Sequence, residues 1–203
     1  MKVISVWNPK GGQGKSMIAI NLAAAAVEIG LKPVVIDRDP EQQTALLYHD
    51  SGFPFEILGD YPKNAPDVDL VIVDHMATDR DAPLPPVVVM PVLPRRAQHD
   101  AYRKALPILQ EADKRIITVV TGGDRRRADE KAAVIALKQM GAFEIPANVA
   151  FTKAENLLTT IFDARLNSSY QIRERRNDFA AILAAALQNQ QPQTQKEETH
   201  VAA

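Results

Sequence analysis

Mainly apolar runs recur along the chain, and stretches with helical spacing lie between them. The apolar runs predict strands at Lys2–Trp7, Pro33–Ile36, Phe55–Leu58, Leu70–Val73, Val87–Val92, Ile116–Val120 and Phe143–Val149. The intervening stretches predict helices at Ser16–Ile29, Gln42–His49, Gln98–Glu111, Arg127–Met140, Ala154–Leu166 and Gln171–Leu187. Most of the strand runs are continuous Val and Ile, which is typical of parallel strands covered on both faces. The pattern predicts an α/β fold with a doubly wound, mostly parallel sheet and helices on both faces.

The end of the chain has a different composition from the rest. Residues 188–203 are polar and rich in glutamine, which predicts a disordered tail because such a segment has little apolar surface to bury. Residues 1–187 are predicted to form one domain. Gly30 and Gly141 stand just after predicted helices, where a left-handed residue commonly ends a helix.

Cysteine content and hydropathy narrow the protein class. The chain has no cysteine, which excludes disulfides, thiolate metal sites and cysteine nucleophiles. No run of 18 apolar residues occurs, and the first residues lead directly into a strand, so neither a membrane span nor a signal peptide is expected. We expect a cytoplasmic protein that does not associate with membranes.

A glycine-rich run joins the first predicted strand to the first predicted helix. It reads Asn8-Pro9-Lys10-Gly11-Gly12-Gln13-Gly14-Lys15-Ser16. Glycines let backbone N–H groups approach an anion, and the positive end of the helix dipole adds to the attraction. A lysine at position 15 can reach phosphate oxygens, and the Ser16 hydroxyl can ligate Mg²⁺. The run predicts a phosphate-binding loop; the alternative is a glycine-rich turn with two solvated lysines.

Three carboxylates follow predicted parallel strands. Asp37 and Asp39 follow the second strand, and Asp74 ends the apolar run that begins at Leu70. Ligands of such sheets bind at the carboxyl ends of the strands, and carboxylates there can hold Mg²⁺. The alternative for Asp39 is a capping residue in a charged turn.

The loop resembles the K-G-G-x-G-K-[ST] sequence, a deviant Walker A loop, of the ParA/MinD ATPases, and the segment from Asp37 to Pro40 resembles their D-x-D-P sequence. The resemblance implies binding of ATP with Mg²⁺, held by loop residues 10–16 and by Ser16, Asp37 and Asp74. It also implies a catalytic set of Lys10, Lys15 and Asp39. Lys10 would reach the partner's nucleotide in an ATP-bound homodimer, and Asp39 would position the attacking water.

The chain departs from this family at several positions. Glu41 stands where glutamine is usual, and Ala150 stands where many relatives have arginine. The segment 75–86 is charged and proline-rich, so a full helix is not expected there. His75 is either a catalytic or switch residue or an ordinary polar loop residue.

Charge is distributed unevenly along the chain. Residues 1–113 contain 11 Lys/Arg and 15 Asp/Glu, whereas residues 114–176 contain 12 Lys/Arg and 7 Asp/Glu. The family resemblance implies nonspecific binding of double-stranded DNA by this basic half. The alternative is an ordinary solvated face. The predicted DNA-binding residues are Arg125, Arg126, Arg127, Lys153, Arg173, Arg175 and Arg176.

The resemblance implies a small plasmid-type ParA. Such a protein is a slow, nucleoid-associated ATPase that segregates plasmid DNA with a small DNA-binding centromere-type adaptor protein. Three other functions are open: an ATPase that places a conjugation or DNA-processing complex, a small-molecule kinase or synthetase that uses the same loop, and a nonhydrolysing nucleotide-dependent binding module.

Overall fold

The computed structural model describes residues 1–64 and 66–188, which contain a seven-stranded sheet. All of its paired strands are parallel, and their order is β3-β2-β4-β1-β5-β6-β7. The strands are β1 Lys2–Val6, β2 Pro33–Asp37, β3 Glu56–Leu58, β4 Leu70–Asp74, β5 Val87–Val92, β6 Arg115–Thr121 and β7 Phe143–Ile145. The predicted parallel α/β fold is confirmed.

Helices cover both faces of the sheet. The helices are α1 Lys15–Glu28, α2 Arg96–Glu111, α3 Ala128–Gln139, α4 Val149–Asn156 and α5 Ile172–Leu187, with 3-10 turns at Leu46–Tyr48 and Ala164–Leu166. The larger core packs α1, α4 and α5 on one face, and a second core packs α2 and α3 on the other. Trp7 is fully buried in the second core.

Helix α1 is buried along most of its length because it lies between the sheet and α5. Its four consecutive alanines, residues 23–26, allow this close approach. The helix ends just before Gly30, whose φ of 80° is the left-handed conformation expected there. Gly141 has a φ of 89° just after α3, so both glycine predictions are confirmed.

The helix predicted at Gln42–His49 is wrong, because only the 3-10 turn Leu46–Tyr48 forms there. The Asp39 carboxylate accepts hydrogen bonds from the backbone N–H groups of Glu41 and Gln42. Gln43 then takes a left-handed φ of 45°, which a continuous right-handed helix does not allow.

The boundaries after β6 also differ from those predicted. β7 ends at Ile145 rather than Val149, because Pro146 follows and cannot donate a ladder hydrogen bond. Asn148 then caps α4 by accepting a hydrogen bond of 2.8 Å from the N–H of Ala150. The predicted helix at Ala154–Leu166 is therefore wrong: α4 occupies Val149–Asn156, and Leu158 follows with a φ of 47°.

The segment 75–86 contains turns and bends but no helix, as predicted. The predicted tail lies almost wholly outside the described residues, of which Gln188 is the last. Among the helices of the described chain, none combines the length and the hydropathy needed to cross a bilayer.

Candidate nucleotide-binding site

The loops that follow β1, β2 and β4 meet at one edge of the sheet, because parallel strands all end at that edge. They surround a cavity of about 290 Å³. The cavity is lined by Gly11, Gly12, Gln13, Gly14, Lys15, Ser16, Met17, Asp39, Gln42, Thr44, Asp74, His75, Ala77 and Glu155. The structure thus brings most of the predicted loop together with Asp39 and Asp74.

The glycine-rich loop needs left-handed backbone at two positions. Gly12 has a φ of 71°, and Gly14, at the N-cap of α1, has a φ of 83°. A side chain at either position would be strained, so glycine is the residue that permits this loop. The buried Asn8 amide fixes the entry to the loop, since it donates to the Pro91 carbonyl at 2.7 Å and accepts from the Lys10 N–H at 2.9 Å.

Gln13 stabilises the glycine-rich loop through three hydrogen bonds. Its side-chain oxygen accepts a 2.9 Å hydrogen bond from the Leu93 N–H, and its amide donates to the Gly11 carbonyl. The Thr121 hydroxyl donates to the Gln13 carbonyl at 3.1 Å. The Gln13 side chain is therefore committed to Gly11 and to the loop after β5, and its backbone carbonyl to the end of β6. Sequence reasoning placed it only at the nucleotide, because these contacts come from residues about 80 and 108 positions away.

Lys15 lies at the N-terminus of α1 and is largely buried. Burial lowers the pKa of its ammonium group, and the charges of Asp74, Asp39 and Asp79 act against that shift. A buried cation near several carboxylates, beside loop N–H groups that donate no hydrogen bond to the described residues, is suited to hold an anion with several negative charges.

Asp74 is buried at the end of β4, and burial raises the pKa of its carboxyl group to about 7. The neighbouring Ser16 hydroxyl acts against this rise of the pKa. Oδ1 of the Asp74 carboxyl group has no hydrogen-bond partner among the described residues. An unsatisfied buried oxygen beside a serine hydroxyl is a donor set that fits Mg²⁺, which prefers oxygen ligands. Among the described residues, no group of three or more His, Asp or Glu side chains is placed to hold a metal ion, so phosphate and water would have to complete the coordination of such an ion.

Asp37 is buried, but both of its oxygens already accept backbone hydrogen bonds. Oδ1 accepts from the Asp39 N–H at 3.0 Å, and Oδ2 accepts from the Leu46 N–H at 3.0 Å. These bonds make Asp37 the residue that orders the loop after β2. The magnesium role predicted for it has less structural support than the same role for Asp74.

Lys10 is exposed at the rim of the loop. Its backbone N–H bonds to Asn8, and its ammonium group makes no hydrogen bond or ion pair within the described part of the chain. Its predicted action on a partner's nucleotide stays a prediction.

His75 lines the cavity next to Asp74. Its Nδ1 lies 3.0 Å from Asp79 Oδ2, and its Nε2 lies 3.1 Å from Ser5 Oγ. Burial lowers the pKa of the imidazole, as do the charges of Arg38 and Lys15, whereas Asp79 raises it. Both ring nitrogens thus have partners, a pairing that the sequence did not predict.

The arginine loop, defined as Arg125–Arg127, lies after β6 at the same edge of the sheet as the cavity, and each of its side chains has an acidic partner. Arg125 Nε bonds to Glu144 at 3.0 Å, and Arg126 Nε bonds to Asp124 at 2.9 Å. The contacts with Arg126 hold the pKa of the Asp124 carboxyl at about 2. Arg127 and Arg95 both lie within 3.4 Å of the buried Glu130 carboxylate, and Arg127 also pairs with Asp129.

The other predicted DNA-binding residues do not form one open patch with this loop. Arg175 is buried against Asp178, at 3.3 Å, so it is withdrawn from the surface. The Arg176 guanidinium donates to the carbonyl oxygens of Ile161 and Asp163, a contact that ties α5 to the loop before it. Lys153 and Arg173 are exposed.

The comparison with known families agrees with this geometry. Residues 4–161 match the CobQ/CobB/MinD/ParA nucleotide binding domain. The chain belongs to this family. The matched residues include the glycine-rich loop and the ends of β2 and β4. They therefore include Asp39 and Asp74, the two aspartates that line the cavity.

Similar proteins share the fold across almost the whole chain. The cell division ATPase MinD of Pyrococcus furiosus aligns with a TM-score of 0.70 and 15% identity, over 91% of this chain and 98% of that one. A putative plasmid partition protein of Borrelia burgdorferi, bound to AMPPNP, aligns with a TM-score of 0.68 and 15% identity over the same shares. An uncharacterised protein of Methanocaldococcus jannaschii is 51% identical over 41 residues, which is 20% of this chain and 16% of that protein.

Proposed function

We propose that this protein is an ATP-dependent dimeric switch ATPase of the ParA type, which positions or segregates plasmid DNA. The observation that carries the proposal is that the buried Lys15, Ser16 and the buried Asp74 line one cavity together with the glycine-rich loop. Family membership and the AMPPNP-bound partition protein of the same fold support a nucleoside triphosphate as the ligand.

In this proposal, different residues around the cavity bind the phosphates and the magnesium ion. The loop N–H groups and the α1 dipole attract the phosphates, and Lys15 neutralises part of their charge. Ser16 and Asp74, with Asp37 on the neighbouring strand β2, would hold Mg²⁺. The ion would neutralise the charge that develops during phosphoryl transfer. Because the uncharged form of Asp74 dominates below pH 7, we infer that a bound cation favours its carboxylate form.

Asp39 is the residue that we assign to the attacking water. It lines the cavity from the loop after β2, whereas the glycine-rich loop follows β1. One of its oxygens already accepts two backbone N–H groups, which fixes the carboxylate in position. A fixed carboxylate can orient a water and accept its proton.

The dimer and its partners follow from the exposed residues. Lys10 is exposed and unpaired in the described chain, so it is available to a second subunit's nucleotide. In this proposal the ATP-bound homodimer binds double-stranded DNA nonspecifically, and an adaptor protein stimulates hydrolysis and release. The protein would therefore associate with the nucleoid.

A phosphate-release assay tests the proposal. We expect slow, Mg²⁺-dependent hydrolysis of ATP that no small metabolite accelerates. Hydrolysis that depends on a metabolite would indicate a kinase or synthetase instead. Nucleotide binding without any phosphate release, with or without DNA, would indicate a nonhydrolysing binding module.

A further inference from the structure

Hydrogen bonds join three polar side chains next to the cavity, Ser5, His75 and Asp79, which we call the bridge. Ser5 lies on β1, His75 follows β4, and Asp79 lies four residues further along. Since the Asp79 carboxylate accepts from Nδ1, that nitrogen carries the proton, and Nε2 accepts from the Ser5 hydroxyl. Ser5 is fully buried, so its hydroxyl has no access to a substrate and the trio is not a nucleophilic triad.

The segment that this bridge holds also contacts the glycine-rich loop. The Ala77 Cβ lies 3.7 Å from the position that a Cβ on Gly11 would take. Arg80 Nη1 reaches the Pro9 carbonyl at 3.5 Å. These contacts fall on either side of Lys10. His75 and Ala77 both line the cavity, and Ala77 lies beside Gly11, the residue that follows Lys10.

The segment has few backbone restraints. The backbone N–H of His75 bonds to the Val6 carbonyl, and the next backbone bond to a neighbouring element is at Pro86, whose carbonyl accepts from Arg115. Residues 76–83 belong to no helix or strand. Their backbone groups make no backbone–backbone hydrogen bond with the described residues. Side-chain contacts therefore decide where this part of the chain lies.

We propose that Ser5, His75 and Asp79 are positioning residues that hold residues 75–80 against Pro9–Gly11 and so fix the place of Lys10. The inference rests on the proposed ATPase function for its effect on turnover, but not for its effect on the segment itself. A displaced wall misplaces Lys10 and the reacting phosphate, and a misplacement of about 1 Å can reduce turnover by about a hundredfold.

Two substitutions remove the bridge from different ends. His75→Ala removes both contacts, and Asp79→Ala removes one of them at a partly exposed residue. Asp79→Asn keeps an oxygen that can accept from Nδ1, so it should restore the parent behaviour. Asp81→Ala is the matched control, because Asp81 is an exposed acid of the same loop with no hydrogen bond or ion pair to the described residues.

The first measurement is hydrogen–deuterium exchange of the nucleotide-free chain. We expect faster exchange at the hydrogen-bonded backbone N–H groups of residues 10 and 75 for both Ala variants, with α1 as protected as in the parent. The Asp79→Asn and Asp81→Ala chains should match the parent. Unchanged exchange in Asp79→Ala would overturn the proposal, whether or not the protein binds ATP and whether or not His75→Ala folds.

The second measurement is ATP turnover against ATP concentration. We expect kcat to fall about tenfold to a hundredfold in both Ala variants, with KM within about threefold of the parent value. A loss of kcat in His75→Ala alone would make His75 a catalytic residue and overturn the positioning role. A parent chain without turnover would refute the proposed function, and the exchange result would still decide the bridge.

Discussion

At the scale of single residues, the site depends on charges that the fold has buried. Lys15 is the clearest case, because it is a buried cation whose surrounding carboxylates only partly compensate for desolvation. The triphosphate of ATP would supply the missing negative charge at the same place. Lys15 and Asp74 could both be found from the sequence because motif spacing and strand ends locate them. The bracing by Gln13 and the backbone bonds of Asp37 could not, since both depend on tertiary contacts.

Lys15→Ala should weaken ATP binding by about a hundredfold or more, since a charge-assisted contact with the phosphates is lost. Isothermal titration with Mg-ATP measures this affinity. Lys104→Ala serves as the control, because Lys104 is exposed on α2 outside the cavity. Equal affinity of Lys15→Ala and the parent would refute the site.

Asp39→Ala should bind ATP but hydrolyse it at least about a hundredfold more slowly, since the water loses its orienting carboxylate. Asp39→Asn separates this role from the loop's order, because an asparagine oxygen can still accept the N–H groups of Glu41 and Gln42. Both variants should be slow in a phosphate-release assay. Parent-like turnover of Asp39→Asn would move the water-positioning role elsewhere.

Asp74 predicts a pH dependence of stability. Its carboxyl pKa is 3.8 when unfolded and about 7 when folded, so folding takes up a proton between these values. The stability gained from the neutral carboxyl is complete below about pH 4 and is lost as the pH rises through 7. Without nucleotide and Mg²⁺, the parent Tm should fall relative to that of Asp74→Asn between pH 5 and pH 8. Parallel Tm curves for the two proteins would contradict the assignment.

At the scale of elements, hydrophobic patterning located the seven strands of the described residues, most of which are buried parallel strands rich in Val and Ile. It failed where local hydrogen bonds override helical spacing. The Asp39 carboxylate and the left-handed Gln43 stop a helix after β2, and Asn148 starts α4 earlier than predicted. Spacing alone does not reveal which capping side chain will be used.

The arginine loop carries the element-scale prediction. Replacing all three arginines by alanine should weaken DNA binding and reduce the slope of log affinity against log salt by about 2 to 3, if each contacts one phosphate. A gel-shift titration at two salt concentrations measures this. Because Arg127 pairs with the buried Glu130, Arg126→Ala is the cleaner variant, and Arg126 is 91% exposed. Parent-like binding and salt slope in both variants would exclude this loop as the DNA surface.

At the scale of the whole molecule, the loops that line the cavity meet at one edge of the sheet. Lys10 stands exposed at the rim of the glycine-rich loop. In the proposed dimer, a second subunit would close the cavity and bring its own Lys10 to the nucleotide. ATP binding would then lead to assembly of the dimer. The dimer would bring two DNA-binding surfaces together, which strengthens their combined affinity for DNA.

Light scattering during size-exclusion chromatography tests this account most directly. The measurement uses Asp39→Ala with Mg-ATP, so that hydrolysis does not deplete the bound state, and Mg-ADP as the control. We predict that the mass doubles from the 22.3 kDa of one chain with ATP but not with ADP, and that adding Lys10→Ala to the same protein prevents the doubling while ATP still binds. A single-chain mass with saturating ATP, or the same mass with ATP and ADP, would contradict the nucleotide-gated dimer.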